Sequence, residues 1–291
     1  MAEHTRREID EVTGTETTGH EWDGIRELDT PTPRWWLWIF LLCILFAIGY
    51  VIAMPAIPLV HTYTKGLLGY SQREVVAEQL AAVKAEREGM EKEILATDFN
   101  TIVATPRLLS FAMAEGAAAF GDNCAPCHGT GGQGGSGYPN LVDDNWLWGG
   151  TYAQIYQTIQ HGIRADDPDT RFNNMPAFLK DGLLSREQVS DVVEYVLEIS
   201  GQEHDAAMAA KGKVVFMDQC VTCHGENGKG NQQLGAPNLT DAIWQFGGTR
   251  KDITTTVSNA RNYVMPAWAH RLDPGTIKSL AVYVHSLGGG Q

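Results

Sequence analysis

Four of the five cysteines stand in two copies of one short pattern, Cys124-Ala125-Pro126-Cys127-His128 and Cys220-Val221-Thr222-Cys223-His224. The two-residue gap brings both thiols to one side of a turn. There they can form thioethers with the two vinyl groups of a single haem. The histidine follows at once, so its imidazole reaches the iron from the same side. A thioredoxin-like C-x-x-C needs no such histidine and sits in a βαβ context. A zinc site built from the cysteine pairs leaves both trailing histidines without a role. The pattern therefore predicts two covalently bound haem c groups, with His128 and His224 as proximal iron ligands.

A second pattern supplies the other face. Met175-Pro176-Ala177-Phe178 and Met265-Pro266-Ala267-Trp268 follow the two motifs in turn. Proline disfavours helix for the residue before it, so each methionine lies in extended chain suited to crossing a haem face. A thioether ligand raises the reduction potential, and a His/Met pair leaves the iron no vacant position. Such a site carries electrons and does not activate oxygen or peroxide. Met113, Met208 and Met217 read as core residues. His161 is a competing distal ligand without a counterpart in the second copy.

These residues need two similar scaffolds, and the sequence repeats itself accordingly. Gly116 and Phe120 precede the first motif as Gly212 and Phe216 precede the second. Asn140-Leu141-Val142-Asp143 matches Asn238-Leu239-Thr240-Asp241, and Tyr195-Val196 matches Tyr283-Val284. The first copy carries extra polar residues, 164–170, before its methionine. Each repeat reads as helix, haem motif, glycine-rich loop, short helix, methionine loop and last helix. Ser185 with Gln188, and Asp273 before Pro274, start the last helices; Gly201 and Gly288 stop them. Gly116 and Gly212 let the first helix cross the last closely. Trp146, Trp148 and Trp244 are candidates for walls of the haem pockets. The fold class is all-α: one N-terminal transmembrane helix followed by two tandem class I cytochrome c domains.

The expected boundaries are 1–34 for a cytoplasmic segment, 35–55 for the membrane helix and 56–104 for a periplasmic linker. The first cytochrome c domain takes 105–203 and the second 204–291. Residues 35–54 hold no charge and are long enough to span a bilayer, with Trp35, Trp36 and Trp38 at one end. Because 34 residues precede the span, it reads as an uncleaved anchor. Arg6, Arg7, Arg26 and Arg34 before the span put the N-terminus in the cytoplasm and the haem domains in the periplasm of a bacterial inner membrane. Cys43 lies inside the span as an apolar residue with no redox role. The first 20 residues read as disordered. From Ser71 to Ala96 a charged helix carries a stripe of Val76, Leu80, Val83, Met90 and Ile94, broken by Arg87. That stripe packs either on the chain's own domains or on a partner subunit.

The chain of 291 residues is 43% hydrophobic and 20% charged, which excludes a wholly disordered protein, and five cysteines exclude a disulfide scaffold. The net charge of −13 argues against a nucleic-acid partner and for a cationic one. It is unevenly spread: −7 over 1–104, −8 over 105–203 and +2 over 204–291. A cationic partner is expected to dock near Asp143, Asp144, Asp166, Asp167 and Asp169.

Residues Trp22-Asp23-Gly24-Ile25-Arg26-Glu27-Leu28-Asp29, followed by Pro33-Arg34-Trp35-Trp36, resemble a particular family. The similarity runs on through Asn145-Trp146-Leu147-Trp148-Gly149-Gly150, Gly235-Ala236-Pro237-Asn238 and Val264-Met265-Pro266-Ala267-Trp268, and covers 22–288. The family is subunit III of cbb3-type cytochrome c oxidase, the dihaem FixP or CcoP subunit. The resemblance implies a non-catalytic subunit that takes electrons from a donor cytochrome c. It passes them to monohaem subunit II, and thence to catalytic subunit I, which reduces oxygen and pumps protons. Cys124, Cys127, Cys220 and Cys223 carry over as haem attachments, His128, His224, Met175 and Met265 as iron ligands. Spacing alone has each methionine serve its own repeat. The resemblance implies a crossed arrangement, Met265 on the first haem and Met175 on the second. The longer loop before Met175 departs from the commoner family pattern. Rival classes are a free-standing anchored dihaem shuttle and a dihaem peroxidase; the shuttle does not account for the pre-membrane motif, nor the peroxidase for two Met-Pro loops.

Overall fold

A computed structural model describes residues 7–288 and resolves two compact units, 1–83 and 84–291. Arg6, which enters the charge argument for orientation, lies outside the described residues. In the first unit, β1 (Thr17–Trp22) and β2 (Ile25–Leu28) form an antiparallel hairpin. Asp23 and Gly24, both at positive φ (49° and 83°), make its two-residue turn. Aspartate–glycine is suited to this turn because both central positions need the left-handed region. The expectation of a disordered first 20 residues is thus corrected from Glu8 onward: Thr17 is buried, and Glu8 and Thr17 exchange hydrogen bonds. α1 (Arg34–Ala53) follows, apolar beyond Arg34 and with no buried residue. Beyond it the chain folds back, so that Leu67 and Leu68 donate to the carbonyls of Ile52 and Ala53.

α2 (Gln72–Ala96) leads toward the second unit. Only the C-terminal part of its stripe is sequestered: Ile94 is fully buried and Met90 partly so, with Ile102, Leu108, Ala112 and Val282. Val76, Leu80 and Val83 are exposed. Arg87, the apparent break in the stripe, pairs with Glu115 at 3.1 Å and covers the Phe111 ring.

The remaining helices of the second unit are α3 (Phe99–Ala104), α4 (Pro106–Asn123), α5 (Ala125–His128), α6 (Tyr152–His161) and α7 (Arg186–Ile199), then α8 (Ala206–Gln219), α9 (Val221–His224), α10 (Arg250–Asn259) and α11 (Pro274–Ser286). Their local signals read as the repeat suggested. The Ser185–Gln188 capping box is complete, and Thr151–Gln154 makes another at α6. Asp273 caps α11 without a side-chain bond. Met217, expected in the core, is 41% exposed.

The packing does not follow chain order. α4 packs on α11, and α8 packs on α7. One core joins Phe120, Ile155 and Ile159 of the first repeat to Ile277, Leu280 and Val284 of the second. The other joins Phe178, Val192 and Val196 of the first to Phe216, Ile253 and Val257 of the second. The repeats have exchanged their methionine loops and last helices. The two glycines make this possible: a Cβ on Gly116 would meet Ser279 and Tyr283 of α11, and one on Gly212 would run into the backbone of Asp191 in α7.

Candidate functional site

Each C-x-x-C-H segment is a single helical turn closing the helix before it. Cys124 caps α4 and Cys220 caps α8, their amides bonding Phe120 and Phe216. Phe120 and Phe216 are almost wholly buried, so each motif is tied to the centre of a core. The histidines end the turns, and a glycine at positive φ redirects the chain after each.

The His128 Nδ1 lies 3.0 Å from the Pro139 carbonyl, and His224 Nδ1 lies 3.1 Å from that of Pro237. A carbonyl only accepts, so Nδ1 carries the proton and Nε2 is left with its lone pair. This fixes the tautomer and ring orientation an iron ligand needs. Burial holds both imidazoles below the usual histidine range, which keeps them neutral. Burial, with a smaller contribution from the neighbouring cysteine, pushes Cys124 and Cys220 up to about 11. That is opposite to a redox C-x-x-C pair, whose attacking thiol is shifted down.

All four cysteines, both histidines and both methionines line one continuous, partly open cavity. It encloses about 2040 Å³ of space free of protein atoms, its mouth included. Trp148 and Trp244 are in its wall, while Trp146 packs in the core beside Phe120. His161 is bonded to Asp167 at 2.9 Å and lies outside the cavity wall. The donor set fits haem c: paired thiols beside an oriented neutral imidazole, facing apolar walls.

Met175 packs against the core that holds Phe216, as do Cys220 and Trp244. Met265 packs against the core that holds Phe120, as do Cys124 and Trp146. Met265 is seated by a two-way backbone pair with Ile163 at the end of α6, at 2.9 and 3.0 Å. The Met175 loop is seated by Phe178 and Lys180, whose amides bond Val257 and Ser258 of α10. Sequence reasoning passed over Arg164, which also lines the cavity; its position inside a polar insertion disguised it.

Fold and site define a membrane-anchored c-type cytochrome with two haem domains carrying covalently bound haem c, an electron-transfer protein. Three families match along it: the N-terminal domain of cytochrome oxidase-cbb3, FixP, over residues 14–61, cytochrome c over 113–200, and cytochrome c oxidase, cbb3-type, subunit III over 207–284. The chain is 52% identical to the cbb3-type cytochrome c oxidase subunit CcoP of Azospirillum brasilense, over 98% of this chain and 99% of the relative. It is 53% identical to subunit FixP of Azorhizobium caulinodans, over 97% and 96% of the two chains, and 51% identical to subunit FixP of Bradyrhizobium diazoefficiens over 100% of both. The chain belongs to the CcoP/FixP family of cbb3-type cytochrome c oxidase subunits and is an electron-transfer component of such an oxidase.

Proposed function

We propose that this subunit is a non-catalytic relay. It accepts electrons from a donor cytochrome c and delivers them to monohaem subunit II, which feeds catalytic subunit I. The bound haems supply the one-electron carriers. Cys124 and Cys127 hold one of them, Cys220 and Cys223 the other. His128 and His224 close the proximal faces. On the distal faces the methionines are crossed: Met265 serves the site of His128, and Met175 that of His224. The observation that carries this pairing is the exchange of cores, since Met265 lies with Cys124 and Met175 with Cys220. A histidine and a methionine at each site would leave a bound haem no place for oxygen or peroxide. The N-terminus is cytoplasmic and the haem domains are periplasmic, as the arginines before α1 suggest.

The pairing is tested in a chain that keeps one haem. In a Cys124→Ala, Cys127→Ala background, Met175→Ala is expected to abolish the methionine–iron charge-transfer band of the remaining haem, while Met265→Ala leaves it intact. The reverse outcome sinks the crossed reading. The non-catalytic role is tested by carbon monoxide: neither haem of the isolated, reduced subunit is expected to bind it.

A further inference from the structure

The two methionine loops meet at one side chain. The Arg164 Nε donates to the Tyr263 carbonyl at 2.8 Å, and its Nη1 donates to the Asn173 carbonyl at 2.8 Å. Tyr263 stands two residues before Met265, and Asn173 two residues before Met175. One rigid guanidinium fork therefore grips the same position on both loops. The backbone around it is equally committed. Ile163, the preceding residue, makes the two-way pair with Met265, and the Arg164 amide donates to Arg171 at 2.8 Å. Arg164 itself has φ 54°, a conformation that costs a non-glycine residue and persists only where its surroundings enforce it. A second link runs directly between the loops: Asn262 donates to the Met175 carbonyl at 3.1 Å and accepts from its amide at 3.3 Å.

We propose that Arg164 is a positioning residue for both axial methionines, so that the two haem sites are set as a coupled pair. The guanidinium is suited to this because its five donors lie in a fixed plane, which an ammonium does not offer. The extra residues 164–170 of the first repeat, which have no partner in the second, then acquire a purpose: they carry this fork to the seam between the loops. The inference rests on the reading that Met175 and Met265 ligate iron, but not on which haem each serves.

The test uses the full chain carrying both haems, in wild type, Arg164→Lys and Arg164→Ala. Haem content is read by covalent haem stain, axial ligation by the methionine–iron charge-transfer band, and both midpoint potentials by optical redox titration. Arg164→Ala is expected to weaken the band at both haems and to lower both potentials together. Arg164→Lys, which keeps the charge but not the fork, is expected to weaken both bands as well. If Arg164→Ala does not retain its haems, Arg164→Lys decides. A change at one haem only, or bands and potentials unaltered with haem content intact, overturns the proposal; a lower melting temperature with unaltered bands makes Arg164 merely structural and also overturns it. Absence of the band in wild type would instead refute the axial-methionine reading, a separate failure.

Discussion

Glu115 is a carboxylate on α4 in a nearly closed site. Ser279 Oγ donates to it at 2.7 Å and Arg87 at 3.1 Å. Burial is the largest influence and lifts it above its ordinary 4.5, against the opposing pull of Ser279 and Arg87; the Glu91 charge raises it further. A group raised in the folded state binds its proton more readily there than in the unfolded chain. Folding stability therefore increases as pH falls through the raised value and levels off below the ordinary one. Glu115→Gln does not titrate. Melting curves of the two proteins between about pH 7 and 4.5 should show the wild type gaining on the variant as the pH drops. Parallel curves would contradict the assignment.

Two glycines on the same helix separate packing from propensity at the scale of elements. Gly116 faces α11 with no room for a Cβ, whereas a Cβ on Gly121 would meet nothing. Gly116→Ala should therefore destabilise by about 1–3 kcal/mol through overpacking of the α4–α11 crossing. Gly121→Ala should stabilise by roughly 0.5–1 kcal/mol by removing helix-interior glycine. Denaturant melts of both variants check the signs, and equal signs would mean that α4 does not meet α11 so closely. Across the other core, α10 is held to α7 by a forked pair, Arg250 to Glu194 at 2.5 and 3.1 Å. This contact lies between the two repeats, so it too depends on the exchange.

The exchange also redraws the charge map of the whole molecule. By chain order the acidic excess falls in 105–203. α7, with Glu187, Asp191, Glu194 and Glu198, packs instead with the second motif, and the segment bringing Arg271 and Lys278 packs with the first. The two lobes are therefore closer in charge than the repeats are. Donor oxidation by the assembled oxidase should still slow as ionic strength rises, because attraction of a basic donor is screened. A rate independent of salt would remove electrostatic steering. The exchange makes a second prediction: residues 105–203 expressed alone must use α7 where the full chain uses α11. In the repeat register Asp191 then replaces Ser279 opposite Glu115, setting two carboxylates together in a buried place. The isolated segment should melt well below the chain 84–291. Equal melting temperatures would show that the exchange adds nothing to stability.

The chemistry was legible in the residues themselves. C-x-x-C-H carries its meaning in a spacing of a few residues, because thioether formation imposes local geometry; Met-Pro is a local pattern of the same kind. The membrane helix was legible for the same reason, as an unbroken apolar run. The Asp23-Gly24 hairpin was within reach, but those two residues read only as part of the family motif that follows the polar first 20 residues. Arg164 was not within reach, since nothing local distinguishes a guanidinium in solvent from one gripping two loops. Which methionine lies with which motif was not legible in the spacing, although the family resemblance implied the crossed arrangement. Gly116 and Gly212, Phe120 and Phe216, and Tyr195 and Tyr283 are equivalent sockets and plugs, so local pattern admits both pairings. Contacts far apart in the chain choose between them: Ser279 on Glu115, Arg250 on Glu194 and Arg164 across the two loops.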